Sequence, residues 1–119
     1  MNPYTAIYPD SAKDTAHSAP AMPDDQLRPR EKLLARGAAA LSNTELLAIL
    51  LRTGSAQMNI MQFSQYVLDQ AGGPRNLVLS NYESLRKIKG LGDAKICSFL
   101  AAVEFARRHM QDTLQFHTE

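Results

Sequence analysis

The run Leu85-Arg86-Lys87-Ile88-Lys89-Gly90-Leu91-Gly92-Asp93-Ala94-Lys95-Ile96 limits the fold of this chain more than any other stretch. Leu85 and Ile88 stand three apart and give a short helix one apolar side. Gly90 and Gly92 are both free to take positive φ, so the chain can reverse within a few residues. Leu91 between them is placed to turn inward and pin the reversal to a core, and Asp93 is suited to cap the helix that follows. A glycine-rich turn that opens a helix presents backbone N–H groups and the positive end of the helix dipole, a combination that favours an anion. Lys89 and Lys95 flank it. Lys89, Gly90, Leu91, Gly92, Asp93, Ala94 and Lys95 therefore form a candidate phosphate site. The competing reading is a helix corner with no ligand, because a Gly-x-Gly alone occurs in many folds.

The rest of the chain reads as helix. Pro29 suits a first helical turn, Glu31 to Arg36 continue it, and Gly37 is a natural stop. Ser42-Asn43-Thr44-Glu45 has capping-box spacing and opens Leu46 to Leu51, a segment apolar nearly all round and hence predicted to be the buried central helix, ending at Gly54. A third helix starts near Asn59, buries Ile60, Phe63, Val67 and Leu68, and stops at Gly72-Gly73-Pro74. Asn76 to Leu79 can form a short helical turn. Ser80-Asn81-Tyr82-Glu83 repeats the capping-box spacing and opens a short helix to Ile88. The last helix is expected from about Asp93 to Met110 along a stripe of Ile96, Phe99, Leu100, Val103 and Met110, with fraying after Gln111. No stretch alternates like a strand. The expected fold is all-α: a compact bundle of about five helices packed around Leu46 to Leu51.

Residues 1–26 hold Pro3, Pro9, Pro20 and Pro23 without helical or strand period and read as a flexible leader, parts of which (Tyr4, Ile7, Tyr8) could dock on the domain. The helical domain is assigned to 27–111, and 112–119 to a frayed tail or the start of a linker. The 119 residues suit one small domain. The formal charge of +1 argues against a strongly basic protein, but its distribution is uneven. Lys13 stands alone against Asp10, Asp14, Asp24 and Asp25 in the leader, whereas Arg86, Lys87, Lys89, Lys95, Arg107 and Arg108 outnumber Glu83, Asp93 and Glu104 later. Cys97, the one cysteine, cannot form an internal disulfide and suits a reducing compartment. With no membrane-length apolar run and no signal-peptide pattern, the expected location is the cytoplasm, with no membrane partner.

The segment from Leu85 to Ile96 resembles a helix-hairpin-helix motif, a sequence-independent binder of the DNA backbone. The wider pattern is more specific. Arg28-Pro29-Arg30-Glu31-Lys32-Leu33, then Gly37-Ala38, then Leu41-Ser42-Asn43-Thr44-Glu45-Leu46-Leu47-Ala48-Ile49-Leu50-Leu51-Arg52-Thr53-Gly54 resembles the N-terminal region of the RadC (UPF0758) family over about Leu27 to Arg108. The resemblance implies a DNA-repair setting, DNA as partner, and other repair or replication proteins as further partners. It also implies that a zinc-dependent JAB/MPN metalloprotease-like domain with a His-x-His and Asp signature follows in the family. No His-x-His occurs here, and the chain is expected to be an isolated N-terminal domain or a truncated member. One departure stands out: where helix-hairpin-helix motifs often carry Ala, this chain has Ile96, with the small Ala94 displaced, which predicts a looser hairpin.

Arg28, Arg30, Lys32 and Arg36 form a second basic cluster, and Arg52 stands just after the central helix. Arg28, Arg30, Lys32 and Arg52 are candidates for a secondary DNA contact. Solvated pairing with Glu31 and dipole compensation are the alternatives. Cys97 reads as a buried or half-buried structural thiol, and Met58, Met61 and Met110 as core or core edge. His17, His109 and His117 are scattered, so no metal site is expected. Neither a nucleophile–base pair nor a ligand cluster is visible, so no catalytic residue, enzymatic activity or cofactor is expected. Three functions remain: a DNA-backbone-binding module, a protein-docking module using exposed faces of the Leu- and Met-rich helices, and, least favoured, a DNA-glycosylase-like enzyme, whose essential Asp would have to be Asp93.

Overall fold

The computed structural model describes residues 26–118, with side chains described as far as Met110. Almost all of the expected leader, with Tyr4, Ile7 and Tyr8, lies outside the described residues. Two units are distinguished, divided between Ser42 and Asn43, and the described residues contain helices and turns but no strand.

The first unit contains α1 (Pro29–Arg36) and a short 3-10 turn, Ala38–Ala40. Pro29 occupies the first helical position, where its missing N–H costs nothing. The Arg28 N–H donates to Glu31 Oε1 at 3.3 Å. Gly37 ends α1 at φ +88, as the sequence indicated, and its N–H returns to the Leu33 carbonyl.

The second unit holds α2 (Asn43–Leu51), α3 (Ile60–Ala71), α4 (Pro74–Val78), α5 (Tyr82–Leu85) and α6 (Asp93–Thr118). α2 packs on α3 and α6, α3 on α4, and α5 on α6. Their shared core contains Leu47, Leu51, Phe63, Val67, Leu68, Leu77, Leu85, Ile88, Leu91, Ile96 and Phe99. Phe63 lies at its centre, fully buried, and truncating it to Ala would cost about 3–5 kcal/mol.

Local chemistry sets the ends of these helices. Asn59 caps α3: its Oδ1 accepts from the Gln62 N–H at 2.9 Å, and Gln62 Oε1 accepts from the Asn59 N–H at 3.0 Å. Gly72 ends α3 in the left-handed region, and the Gly73 N–H donates to the Leu68 carbonyl at 2.9 Å. Pro74 then starts α4.

α2 ends at Leu51 rather than at Gly54, with Arg52 at φ +74 making the left-handed turn usually given to glycine. Gly54 is needed for another reason, since a Cβ there would collide with the Met58 carbonyl oxygen. α2 is not buried all round: Leu47, Ala48 and Leu51 face the core, and Leu50 is 42% exposed. α5 is capped by Asn81, whose Oδ1 accepts from the Ser84 N–H at 2.9 Å. Ser80 instead donates its hydroxyl to the Asn76 carbonyl, closing α4. α5 ends at Leu85, and Ile88 is held by a tighter turn through its N–H to the Leu85 carbonyl.

α6 runs past Gln111 to Thr118. Its packed stripe ends near Val103, so Met110 is 61% exposed instead of joining the core. Cys97 is exposed because its neighbour Ile96 takes the inward position. Ile96 itself is fully buried, so the larger residue is accommodated rather than leaving a loose turn.

Candidate nucleic-acid interface

The turn between α5 and α6 is built from inside outward. Leu85, Ile88, Leu91 and Ile96 are all buried and fix its path against the core. The Leu91 N–H donates to the Ile88 carbonyl at 3.1 Å, closing the reversal. Gly90 takes φ +90, and a Cβ on it would sit 3.0 Å from Phe63 Cε1 and 3.5 Å from Ser55 Cβ. Gly90 is thus required both by its backbone conformation and by close approach to the core.

Gly92 differs from the sequence expectation. It is not among the positive-φ glycines, and a Cβ built on it would meet nothing within 4 Å. Its carbonyl accepts from the Ile96 N–H at 3.0 Å, which makes Gly92 the cap position of α6 and Asp93 the first helical residue. Asp93 therefore does not act as the cap. Its Oδ1 accepts from the Tyr82 hydroxyl at 2.8 Å, bracing α5 against the start of α6. That bond is the main cause raising the Tyr82 phenol above its ordinary value. It also holds the carboxylate on the α5 side of the turn.

Among the described residues, no protein group accepts from the backbone N–H groups of Gly92, Asp93, Ala94 or Lys95. These are the donors left over at the start of any helix, and here they open beside an exposed glycine. Lys87 and Lys89 are exposed near this turn, and among the described residues neither ammonium group has an ion-pair or hydrogen-bond partner. Arg86 is paired with Glu83 at 3.7 Å.

Lys95 departs most from expectation. Its Nζ donates to the Leu51 carbonyl at 2.8 Å and to Thr53 Oγ1 at 2.6 Å. The side chain is half-buried and closes the C-terminal end of α2, where carbonyls and the negative end of the dipole welcome a cation. It is thus a structural clamp between α2 and α6, not a freely exposed charge beside the turn. No local signal marks this role, because the two partners are 44 and 42 residues away.

The other candidate cations divide between the units. Arg28 lies 3.9 Å from Glu31, and Arg30 and Lys32 are on α1. Arg52 is exposed in the second unit, in the loop that Lys95 clamps. Arg107 and Arg108 both bind Glu104, whose carboxyl they push down to about 2. Among the described residues no group of three or more His, Cys, Asp or Glu side chains is arranged to hold a metal, and no helix is long and apolar enough to cross a membrane.

The family model described as UPF0758 N-terminal matches residues 21–97, more than half of the chain. The chain belongs to the UPF0758 family. Similar UPF0758 proteins occur in Variovorax paradoxus, 52% identical over 92 residues covering 76% of this chain and 41% of the relative, and in Polaromonas, 50% identical over 94 residues covering 79% and 42%. Another, from Rubrobacter xylanophilus, is 47% identical over 83 residues, covering 70% and 37%. The chain thus spans about two fifths of the length of the curated relatives it matches. No solved structure matches. The family match ends at Cys97, so it takes in the whole turn and the first residues of α6 in this UPF0758 chain.

Proposed function

We propose that this UPF0758 N-terminal region is a non-catalytic, sequence-independent module for the DNA backbone, and that the Gly90–Lys95 turn works as a helix-hairpin-helix. A single observation carries the reading: the unpartnered N–H groups of Gly92, Asp93, Ala94 and Lys95 lie at an exposed turn whose glycine leaves space for a phosphate oxygen to approach. Lys89, and Lys87 behind it, supply the mobile positive charge. Such contacts read charge and shape rather than base edges, so they carry no sequence preference.

Gly92→Thr tests this reading directly. Threonine caps a helix about as well as glycine, so folding should be nearly unchanged. Its side chain would fill the open space, and its hydroxyl would take one of the N–H groups offered to the phosphate. Duplex binding should weaken, and the slope of log affinity against log salt should flatten by about 0.9, one phosphate's worth. An unchanged affinity and slope would remove the turn as the phosphate site.

A protein-docking module is the second reading. It is favoured by Val78, Leu79 and Tyr82, which are 49%, 72% and 38% exposed where α4 leads into α5. Salt-insensitive binding of a protein, retained after nuclease treatment and lost in Leu79→Ser, would support it over the DNA reading.

A further inference from the structure

We infer that Arg52, Thr53 and Lys95 form a second phosphate contact, on the loop after α2, which takes the same nucleic-acid backbone at a phosphate other than the one at Gly92. The inference rests on the DNA-backbone reading above and extends it from one contact to two.

The donor arithmetic at Lys95 leads to this site. An ammonium has three N–H donors and no acceptor. Two are spent on the Leu51 carbonyl and Thr53 Oγ1, at 2.8 and 2.6 Å. The third has no protein partner among the described residues, and no carboxylate there neutralises the charge. The Leu51 carbonyl is itself saturated, since it also accepts from the Thr53 N–H at 2.9 Å. Thr53 Oγ1 accepts from Lys95, which leaves its own proton available to donate outward. The cluster therefore presents a fixed cation and a hydroxyl donor, both unspent toward solvent and held in place by the fold.

Arg52 adds the second charge. It is exposed and, among the described residues, its guanidinium has no hydrogen-bond or ion-pair partner, the backbone N–H alone being spent on the Ala48 carbonyl. Its backbone sits at φ +74, where glycine would be at ease and arginine is strained. The turn itself does not need a guanidinium. Arginine donates two parallel N–H groups to a phosphate, a geometry that lysine cannot copy.

The loop also adjoins the first contact. Ser55 lies against Gly90, whose missing Cβ would be 3.5 Å from Ser55 Cβ. Lys95 belongs to the first turn of α6, the turn that begins at Gly92. The two donor groups are thus tied to one another through Lys95 and Gly90, as two contacts on one continuous strand require. Asp93, the nearby acid, is held by Tyr82 on α5.

Arg52→Gly is the discriminating variant, because it removes the guanidinium while relieving the strained backbone. The assay is binding of a labelled duplex by the full 119-residue chain over a salt series, beside wild type, Gly92→Thr and Arg52→Lys. Arg52→Gly should melt no lower than wild type and lower the salt slope by about 0.9. Between 50 and 200 mM salt the variant's affinity should then fall by a factor about 3.5 times smaller than that of wild type. Arg52→Lys should recover the slope and part of the affinity. An Arg52→Gly slope equal to wild type, while Gly92→Thr flattens its own, refutes the second contact and leaves the hairpin reading standing. Loss of slope in Arg52→Gly but not in Gly92→Thr upholds this contact and refutes the hairpin. Failure of Arg52→Lys to restore the slope, tighter binding to an acidic peptide than to duplex, or no salt-dependent DNA binding by wild type overturns the inference.

Discussion

Replacing Lys95 with Met tests the clamp between α2 and α6. The side chain is half-buried, and its ammonium makes one charged hydrogen bond to the Leu51 carbonyl and one to Thr53 Oγ1. A hydrogen bond to a charged group contributes about 1.5–3 kcal/mol, and a cation at a helix C-terminus about 0.3–1 kcal/mol. Water reaches this site, so these values must be discounted, and the net loss in Lys95→Met is expected at about 1–2 kcal/mol. Methionine keeps the apolar stem, so the packing loss is small. In a domain of this size each kcal/mol shifts the melting temperature by about 4–8 °C, giving a fall of about 5–15 °C. Lys95→Glu should lose more, because it puts a negative charge at the negative end of α2. Lys89→Glu is the control, and an exposed charge of that kind should change stability by no more than about 0.5 kcal/mol. Thermal and urea unfolding followed by circular dichroism measure all three. Lys95→Met and Lys95→Glu within about 0.3 kcal/mol of wild type would show that the clamp contributes nothing.

Gly90→Ala should destabilise by about 1–3 kcal/mol, since it forces a Cβ to positive φ and to 3.0 Å from Phe63 Cε1, whereas an equal loss in Gly92→Ala would contradict the different roles of the two glycines. Ser64 is fully buried and its hydroxyl has no partner, so Ser64→Ala should raise stability by about 1 kcal/mol in urea unfolding; a loss instead would mean that the hydroxyl is satisfied. Glu104 should titrate at about 2 by NMR, well below the ordinary 4.5, because Arg107 and then Arg108 favour its charged form. A depressed carboxyl stabilises the fold above its unfolded value, and that contribution should fade as pH falls from about 4.5 toward about 2. A midpoint of 4 or higher would rule out the paired arrangement.

The elements whose signals are local were legible in the sequence. Pro29, Gly37, the Asn59–Gln62 spacing and Gly72-Gly73-Pro74 each act within one helical turn, and the helices begin and end where those residues require. Apolar period placed Phe63, Val67, Ile96 and Phe99 in the core for the same reason. Features fixed by distant partners were not legible. Arg52 could be read as dipole compensation near the end of a helix, but not as the residue that makes the left-handed turn. Lys95 reads in sequence as a ligand of the glycine turn because it follows Gly90 and Gly92 by a few residues, while its partners, Leu51 and Thr53, tie its ammonium to the end of another helix. Gly90 and Gly92 look alike in sequence, and the positive φ of Gly90 together with the position of Phe63 separates a glycine the core requires from one that leaves open space. The capping-box spacing pointed to Ser80 as the cap of α5, but the Asn76 carbonyl takes the Ser80 hydroxyl and Asn81 accepts from the Ser84 N–H instead.

Whether the turn before α6 holds a nucleic-acid phosphate can be read by NMR. Amide signals are followed while duplexes of two unrelated sequences are added, at low and at physiological salt. The Gly90 to Lys95 amides should move together, with the same shifts for both sequences, and affinity should fall steeply as salt rises. Shifts confined to Val78, Leu79 and Tyr82, or no shifts at Gly92 to Lys95 at low salt, would contradict a phosphate site there.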